Sequence, residues 1–135
     1  MSKPDLKMYQ SRYFQPIEYM CPCCGRDDMR PFFLEKLDLL RGLCGFPLIL
    51  SSGVRCRNHN DQVGGGEYSG HVERLAVDIR CTHANAYTLL KHATMIGFTG
   101  IGIKQHGPAE KRFIHLDMCE ALNQRPRPTI WTYSP

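Results

Sequence analysis

His71, Asp78 and a His115-x-Asp117 pair are the residues of this chain with the types and spacing to do chemistry. Together they look like an open zinc site. Hydrolytic zinc is usually held by three ligands drawn from His, Asp and Glu, leaving a fourth position for water. The surrounding residues support that reading. In Ala76-Val77-Asp78-Ile79-Arg80 the alternation puts Val77 and Ile79 on one face of a strand and Asp78 on the other. In Arg112-Phe113-Ile114-His115-Leu116-Asp117-Met118 the same period sets Ile114, Leu116 and Met118 against Phe113, His115 and Asp117. Each polar residue alone also has a plain structural reading, as a loop histidine, a strand-end carboxylate or a hydrogen-bonded sheet residue.

The order of the surrounding motifs shifts the balance toward the metal. Leu48-Ile49-Leu50-Ser51-Ser52-Gly53-Val54-Arg55 is followed by Asn60, Val63-Gly64-Gly65, Ser69-Gly70-His71 and Ala76-x-Asp78-Ile79. Then come Gly97-Phe98-x-Gly100-Ile101-Gly102, Phe113-Ile114-His115-Leu116-Asp117 and Trp131-x-Tyr133. From about Phe14 to Tyr133 the chain resembles the zinc D-Ala-D-Ala carboxypeptidase family of peptidoglycan peptidases, the M15 peptidases, and especially their compact branch in bacteriophages and prophages. The resemblance makes His71, Asp78 and His115 the zinc ligands. It makes Arg55 the arginine aimed at the scissile carbonyl or the substrate carboxylate, a task suited to an always-charged, two-donor guanidinium.

Two positions depart from that family. Arg74 stands where a glycine is common three residues after the first ligand, and a glycine-only conformation would be strained there. Arg112 stands where some relatives carry an acidic base three residues before the last histidine, and arginine cannot accept a proton at neutral pH. Asp117 is then the expected base. The reverse arrangement, with Asp117 on the metal and His115 handling the proton, stays open, and Glu73 and His106 are held in reserve.

Seven cysteines in a chain with no evident export signal argue for thiols or metal binding rather than a disulfide framework. In Cys21-Pro22-Cys23-Cys24-Gly25, Cys21 and Cys24 form a knuckle of the kind that offers two thiolates to zinc. Cys56 and His59 could complete a tetrahedral structural site. Free buried cysteines, or a Cys21–Cys56 crosslink, are the competing readings. Cys44, Cys81 and Cys119 lie in apolar surroundings and read as packing.

At 135 residues the chain fits one domain, 1–135, large enough for an apolar core without disulfides or metal. The hydrophobic fraction of 42% and charged fraction of 22% are ordinary for a globular protein. No stretch has the length and apolarity of a signal peptide or membrane span. Synthesis in the cytoplasm is expected, and action on a cell wall would then need release through a holin or carriage in a virion. A net charge of +4 favours encounter with an anionic wall polymer, but the dispersed Lys and Arg form no nucleic-acid stripe. A monomer is expected.

The elements that must position these residues follow from periodicity. Residues 1–12 read as a loose arm, with packing beginning at Phe14 and Ile17. Met29 to Cys44 reads as an amphipathic helix burying Phe32, Phe33, Leu37, Leu40, Leu43 and Cys44, stopped by Gly45. Pro47–Ser52 is an expected strand, and Gly53–Gly70 a long loop that carries Arg55 and delivers His71. A helix over Asn85–Ile96, with Ala86, Leu89, Leu90 and Ala93 inward, follows the Asp78 strand. Two strands, Gly100–Lys104 and Arg112–Met118, precede an irregular proline-rich tail ending at Trp131-Thr132-Tyr133. This order implies an α+β domain with a mainly antiparallel sheet and flanking helices, the architecture of the resembled family.

The expected function is a zinc peptidase acting on peptidoglycan stem or cross-link peptides, with Zn2+ as cofactor and Trp131 and Tyr133 either walling the cleft or tying the tail to the core. Arg74 and Arg112 give weight to one alternative, a catalytically inactive metal-binding domain of the same fold serving as a virion or wall-binding module; a second is a purely structural zinc protein organised around Cys21 to Cys24.

Overall fold

A computed structural model describes residues 9–135. Five strands form one sheet in the order β1-β2-β4-β3-β5: β1 Ile49–Ser52, β2 Ala76–Arg80, β3 Gly100–Lys104, β4 Phe113–Asp117 and β5 Thr129–Thr132. Neighbours run antiparallel except β3 and β5, which are parallel. The helices are α1 Pro16–Tyr19, α2 Pro31–Cys44, α3 Arg57–Gln62 and α4 His83–Ile96, with a short 3-10 turn at Ala109–Lys111. The fold is α+β, mainly antiparallel with flanking helices, as the sequence implies.

Alternation along the strands sorts the two sheet faces. Val77, Ile79, Ile101, Ile114 and Leu116 are buried in the apolar core shared with α2 and α4. The two helices pack on each other, and Phe33 of α2 meets Phe98 edge-on at 5.7 Å between ring centroids, a favoured aromatic geometry. Pro31 opens α2, where its missing N–H costs nothing. Gly45 closes it in a left-handed conformation, φ 76°, with its N–H on the Arg41 carbonyl.

Several sequence expectations are corrected here. The buried stripe of α2 is Phe33, Leu34, Leu37 and Leu40, whereas Phe32 and Leu43 are exposed. The stripe is rotated toward Asp38, which is buried because it gathers the Tyr9 and Ser11 hydroxyls and the Arg12 and Tyr13 N–H groups. Residues 9–12 are therefore tied down rather than loose, while 1–8 lie outside the described residues. Ile17 is exposed, and Phe14 and Tyr19 begin the core instead. Cys119 is buried in that core, and Cys44 and Cys81 pack against it. The expected 53–70 loop contains α3, and the tail is not irregular throughout, since Thr129–Thr132 pairs with β3 as an edge strand.

Candidate metal centre

Strand pairing aligns the chemistry across the second face of the sheet. Asp78 of β2 lies opposite His115 of β4, His115 opposite Gly102 of β3, and Gly102 opposite Trp131 of β5. One row along, Asp117 faces Ala76 and Gly100. The two glycines make room. A Cβ at Gly100 would stand 2.3 Å from the Asp117 carboxylate oxygens, and one at Gly102 would stand 2.6 Å from the Trp131 indole nitrogen.

His71 enters from the loop that precedes β2. Its Nδ1 pairs with the Gly53 carbonyl at 2.8 Å, which turns Nε2 toward Asp78, 3.4 Å from Oδ1. His115 Nδ1 is 3.0 Å from that same oxygen. The three residues offer ligand atoms within 4.8 Å of one another, and all three are buried. Ligands about 2.1 Å from a tetrahedral zinc lie about 3.4 Å apart, so the donor set and its spacing fit that ion. The far nitrogen of each imidazole is held in turn, His71 by a backbone carbonyl and His115 by Asp117 at 2.8 Å. This second layer is the usual means of fixing the tautomer and orientation of a metal-binding histidine.

The electrostatics follow from burial and neighbours. Burial holds the His71 imidazolium below its ordinary pKa. Burial also pulls His115 down, but the Asp117 and Asp78 carboxylates outweigh it and raise His115. Burial alone would raise Asp78, yet its two histidine partners hold it far below the usual carboxylate range. Asp117 is likewise depressed, with His115 and Arg127 overcoming its burial.

Asp117 is fully buried and its carboxylate is heavily engaged. Oδ2 meets His115 Nε2 and the Arg127 Nη2 at 2.7 Å, while Oδ1 accepts Arg127 Nε at 3.0 Å and the Cys119 N–H at 3.1 Å. Its place is behind His115, on the ring nitrogen opposite the one facing Asp78. The sequence expected a carboxylate free to take a proton. Arg127, missed by sequence reasoning because Arg125-Pro126-Arg127-Pro128 reads only as a turn-rich tail, provides the two-pronged clamp and also lies 5.1 Å over the Trp131 ring.

Arg55 reaches the site from the end of β1. Its Nε donates to Ser52 Oγ at 3.1 Å, one terminal nitrogen donates to Asn60 Oδ1 at 3.2 Å, and the other stands 3.7 Å from Asp78 Oδ2. Asn60 is fully buried and also donates to the Gly66 carbonyl. It thereby links Arg55 to the glycine-rich loop. Gly65 abuts Asn60 so closely that a Cβ would lie 2.1 Å from Oδ1. The sequence flagged Asn60 without giving it a role.

A cleft of about 560 Å³ opens over this group. Arg55, His71, Asp78, His115, Trp131 and Tyr133 line it, and the loop residues Glu67 and Tyr68 with Gln124, Arg125 and Arg127 complete its wall. Trp131 and Tyr133 are thus wall residues, with Trp131 5.1 Å from the His115 ring. The reserve bases stand elsewhere. Glu73 is paired with Arg125, and neither Glu73 nor His106 lines the cleft. Arg112 turns to the Gly107 carbonyl. Arg74 does adopt the left-handed conformation, φ 66°, with an ion pair to Asp28 at 3.1 Å.

The cysteine knuckle forms a second group. Cys21, Cys24 and Cys56 offer sulfurs within 4.8 Å of one another. His59, expected as the fourth member, is not in that group among the described residues. Its backbone N–H donates to Cys56 Sγ at 3.4 Å, where Cys56 caps α3.

Fold and centre together define an α+β domain with a buried His–Asp–His group, suited to a metal, at the foot of an open cleft. A family model described as Peptidase M15 matches residues 13–117, and the chain belongs to that family of zinc-dependent peptidases. The comparison with curated proteins returns no match.

Proposed function

We propose that the protein is a zinc peptidase that hydrolyses peptide bonds in the stem or cross-link peptides of peptidoglycan. The observation that carries the reading is the convergence of His71 Nε2, Asp78 Oδ1 and His115 Nδ1 beneath the cleft, with Arg55 beside them. Zinc held there would polarise the scissile carbonyl and activate water. Arg55, already oriented by Ser52 and Asn60, has a charged fork with which to hold the substrate's carbonyl or carboxylate oxygen. Trp131 and Tyr133 offer an apolar wall with polar tips to the peptide.

The proton-transfer role passes from Asp117 to Glu67 in this reading. Glu67, Asp78 and Asp117 are the carboxylates that line the cleft. Asp78 is in the ligand group and Asp117 is occupied by His115, Arg127 and the Cys119 N–H. Among the described residues lining the cleft, Glu67 on the loop is the carboxylate left for a substrate or water proton, and Asp117 acts by holding His115.

The wall substrate follows from the resemblance to peptidoglycan peptidases and from a net charge of +4, which draws the protein to an anionic polymer. Its place of action would be the wall, reached by release from the cell or as part of a virion. The deciding experiment is mass spectrometry of purified muropeptides incubated with zinc-loaded protein. Loss of a terminal residue identifies a carboxypeptidase, and division of a cross-linked dimer identifies an endopeptidase. Unchanged muropeptides that still bind the protein would establish the inactive wall-binding module instead.

A further inference from the structure

The cysteine turn has the geometry of a metal knuckle. Cys21 Sγ and Cys56 Sγ are 3.8 Å apart, with Cys24 within 4.8 Å of both. Two thiolates about 2.3 Å from one tetrahedral zinc are separated by about 3.8 Å, whereas a disulfide brings sulfurs to about 2.05 Å. Main-chain donors already face the sulfurs. The Cys56 N–H points at Cys21 Sγ at 3.5 Å and the His59 N–H at Cys56 Sγ at 3.4 Å. The turn is closed by Gly25 N–H on the Cys21 carbonyl and Cys21 N–H on the Arg26 carbonyl, both 2.7 Å, with Gly25 left-handed at φ 77°. Cys23, exposed on the same turn, accepts from the Asn58 side-chain amide at 3.9 Å.

We propose that Cys21, Cys24 and Cys56 bind a structural zinc separate from the His71–Asp78–His115 centre, with water at its fourth position. Cys21 is buried and Cys24 exposed, so the ion would sit at the surface end of the core with an entry path. It would join segment 19–26 to segment 53–56, which already abut: Val54 N–H donates to the Tyr19 carbonyl at 2.8 Å, and a Cβ on Gly53 would lie 2.5 Å from that oxygen. The second segment supplies the Gly53 carbonyl that orients His71, and Arg55 itself. The thiolate metal thereby braces the approach to the cleft from behind.

The test is metal counting by native mass spectrometry on reduced protein, together with Co2+ titration of the metal-free chain. Two metals per chain are expected, falling to one in Cys24→Ser and to one in His71→Ala. The near-ultraviolet thiolate-to-cobalt charge-transfer band should appear in the parent, persist in His71→Ala and vanish in Cys24→Ser. Cys23→Ser and His59→Ala should both leave it in place. A parent protein that takes up Co2+ without that band overturns the proposal with no variant needed. So does a second metal that survives Cys24→Ser, or a metal-free Cys21–Cys56 disulfide in the protein prepared without reductant. The band does not depend on hydrolysis, so failure of the peptidase reading would leave this result standing.

Discussion

At the scale of single residues, the centre is governed by which atoms are already spoken for. Asp117 illustrates the point, since hydrogen bonds to His115, Arg127 and a backbone N–H leave it little capacity for substrate. Asp117→Asn should therefore lower zinc affinity about 10–100-fold, the usual cost of losing such a supporting carboxylate. Competition against a fluorescent chelator measures this, and unchanged affinity with slowed turnover would restore Asp117 as the base. Glu67→Gln should behave oppositely, keeping its zinc and losing about 10²–10⁴-fold in kcat; wild-type turnover would remove Glu67 from the mechanism. Arg55→Lys should keep fold and metal but lose most activity, because an ammonium cannot reproduce the fork that spans Ser52, Asn60 and Asp78. Parental rates on muropeptides would make Arg55 a structural residue only.

At the scale of elements, the sheet is a template whose register does the positioning. Asp78, His115, Gly102 and Trp131 fall in one row because β2, β4, β3 and β5 pair in their observed registers. A one-residue slip would turn every one of them to the opposite face. The glycines of β3 belong to the same design, as Gly100 leaves the space that the Asp117 carboxylate fills. Gly100→Ala should destabilise the domain by about 1–3 kcal/mol, the usual penalty for overpacking, and should also weaken zinc binding by displacing Asp117. Denaturant unfolding and the chelator assay report the two effects, and a neutral result in both would contradict the tight packing described here. At Arg74 the backbone departs from the common glycine, and the ion pair with Asp28 partly offsets the cost of a left-handed side-chain-bearing residue.

At the scale of the whole molecule, the apolar core and the candidate centre occupy opposite faces of one sheet. The core of Phe33, Leu37, Leu40, Ile79, Leu89, Ile114 and Leu116 is assembled from side chains that do not touch the cleft. His71→Ala should thus remove the metal of this centre while the far-ultraviolet circular dichroism stays native. Adding zinc at about 100 times its dissociation constant should stabilise the parent by about 2.7 kcal/mol through this site and leave the variant without that increment. A His71→Ala chain that unfolds outright would show that the core depends on the metal. No helix among the described residues is long and apolar enough to cross a membrane.

The strand faces of Asp78 and His115 were legible in the sequence, because alternation is local and a two-residue period needs no partner to be read; the expected ligand set came from the resemblance to the M15 peptidases. Family membership was legible through the resemblance of ordered motifs spread over most of the chain, and the family match covers residues 13–117. Only the tertiary structure shows that the Asp117 carboxylate is engaged. Arg127 reaches Asp117 from ten residues away, through a segment with no periodic signal. It also decided that Thr129–Thr132 is a strand, since an edge strand draws its hydrogen bonds from β3 and not from its own pattern. The buried stripe of α2 turned on Asp38, whose partners come from residues 9–13. Each of these depends on a contact between distant segments, and only folding determines which segments meet.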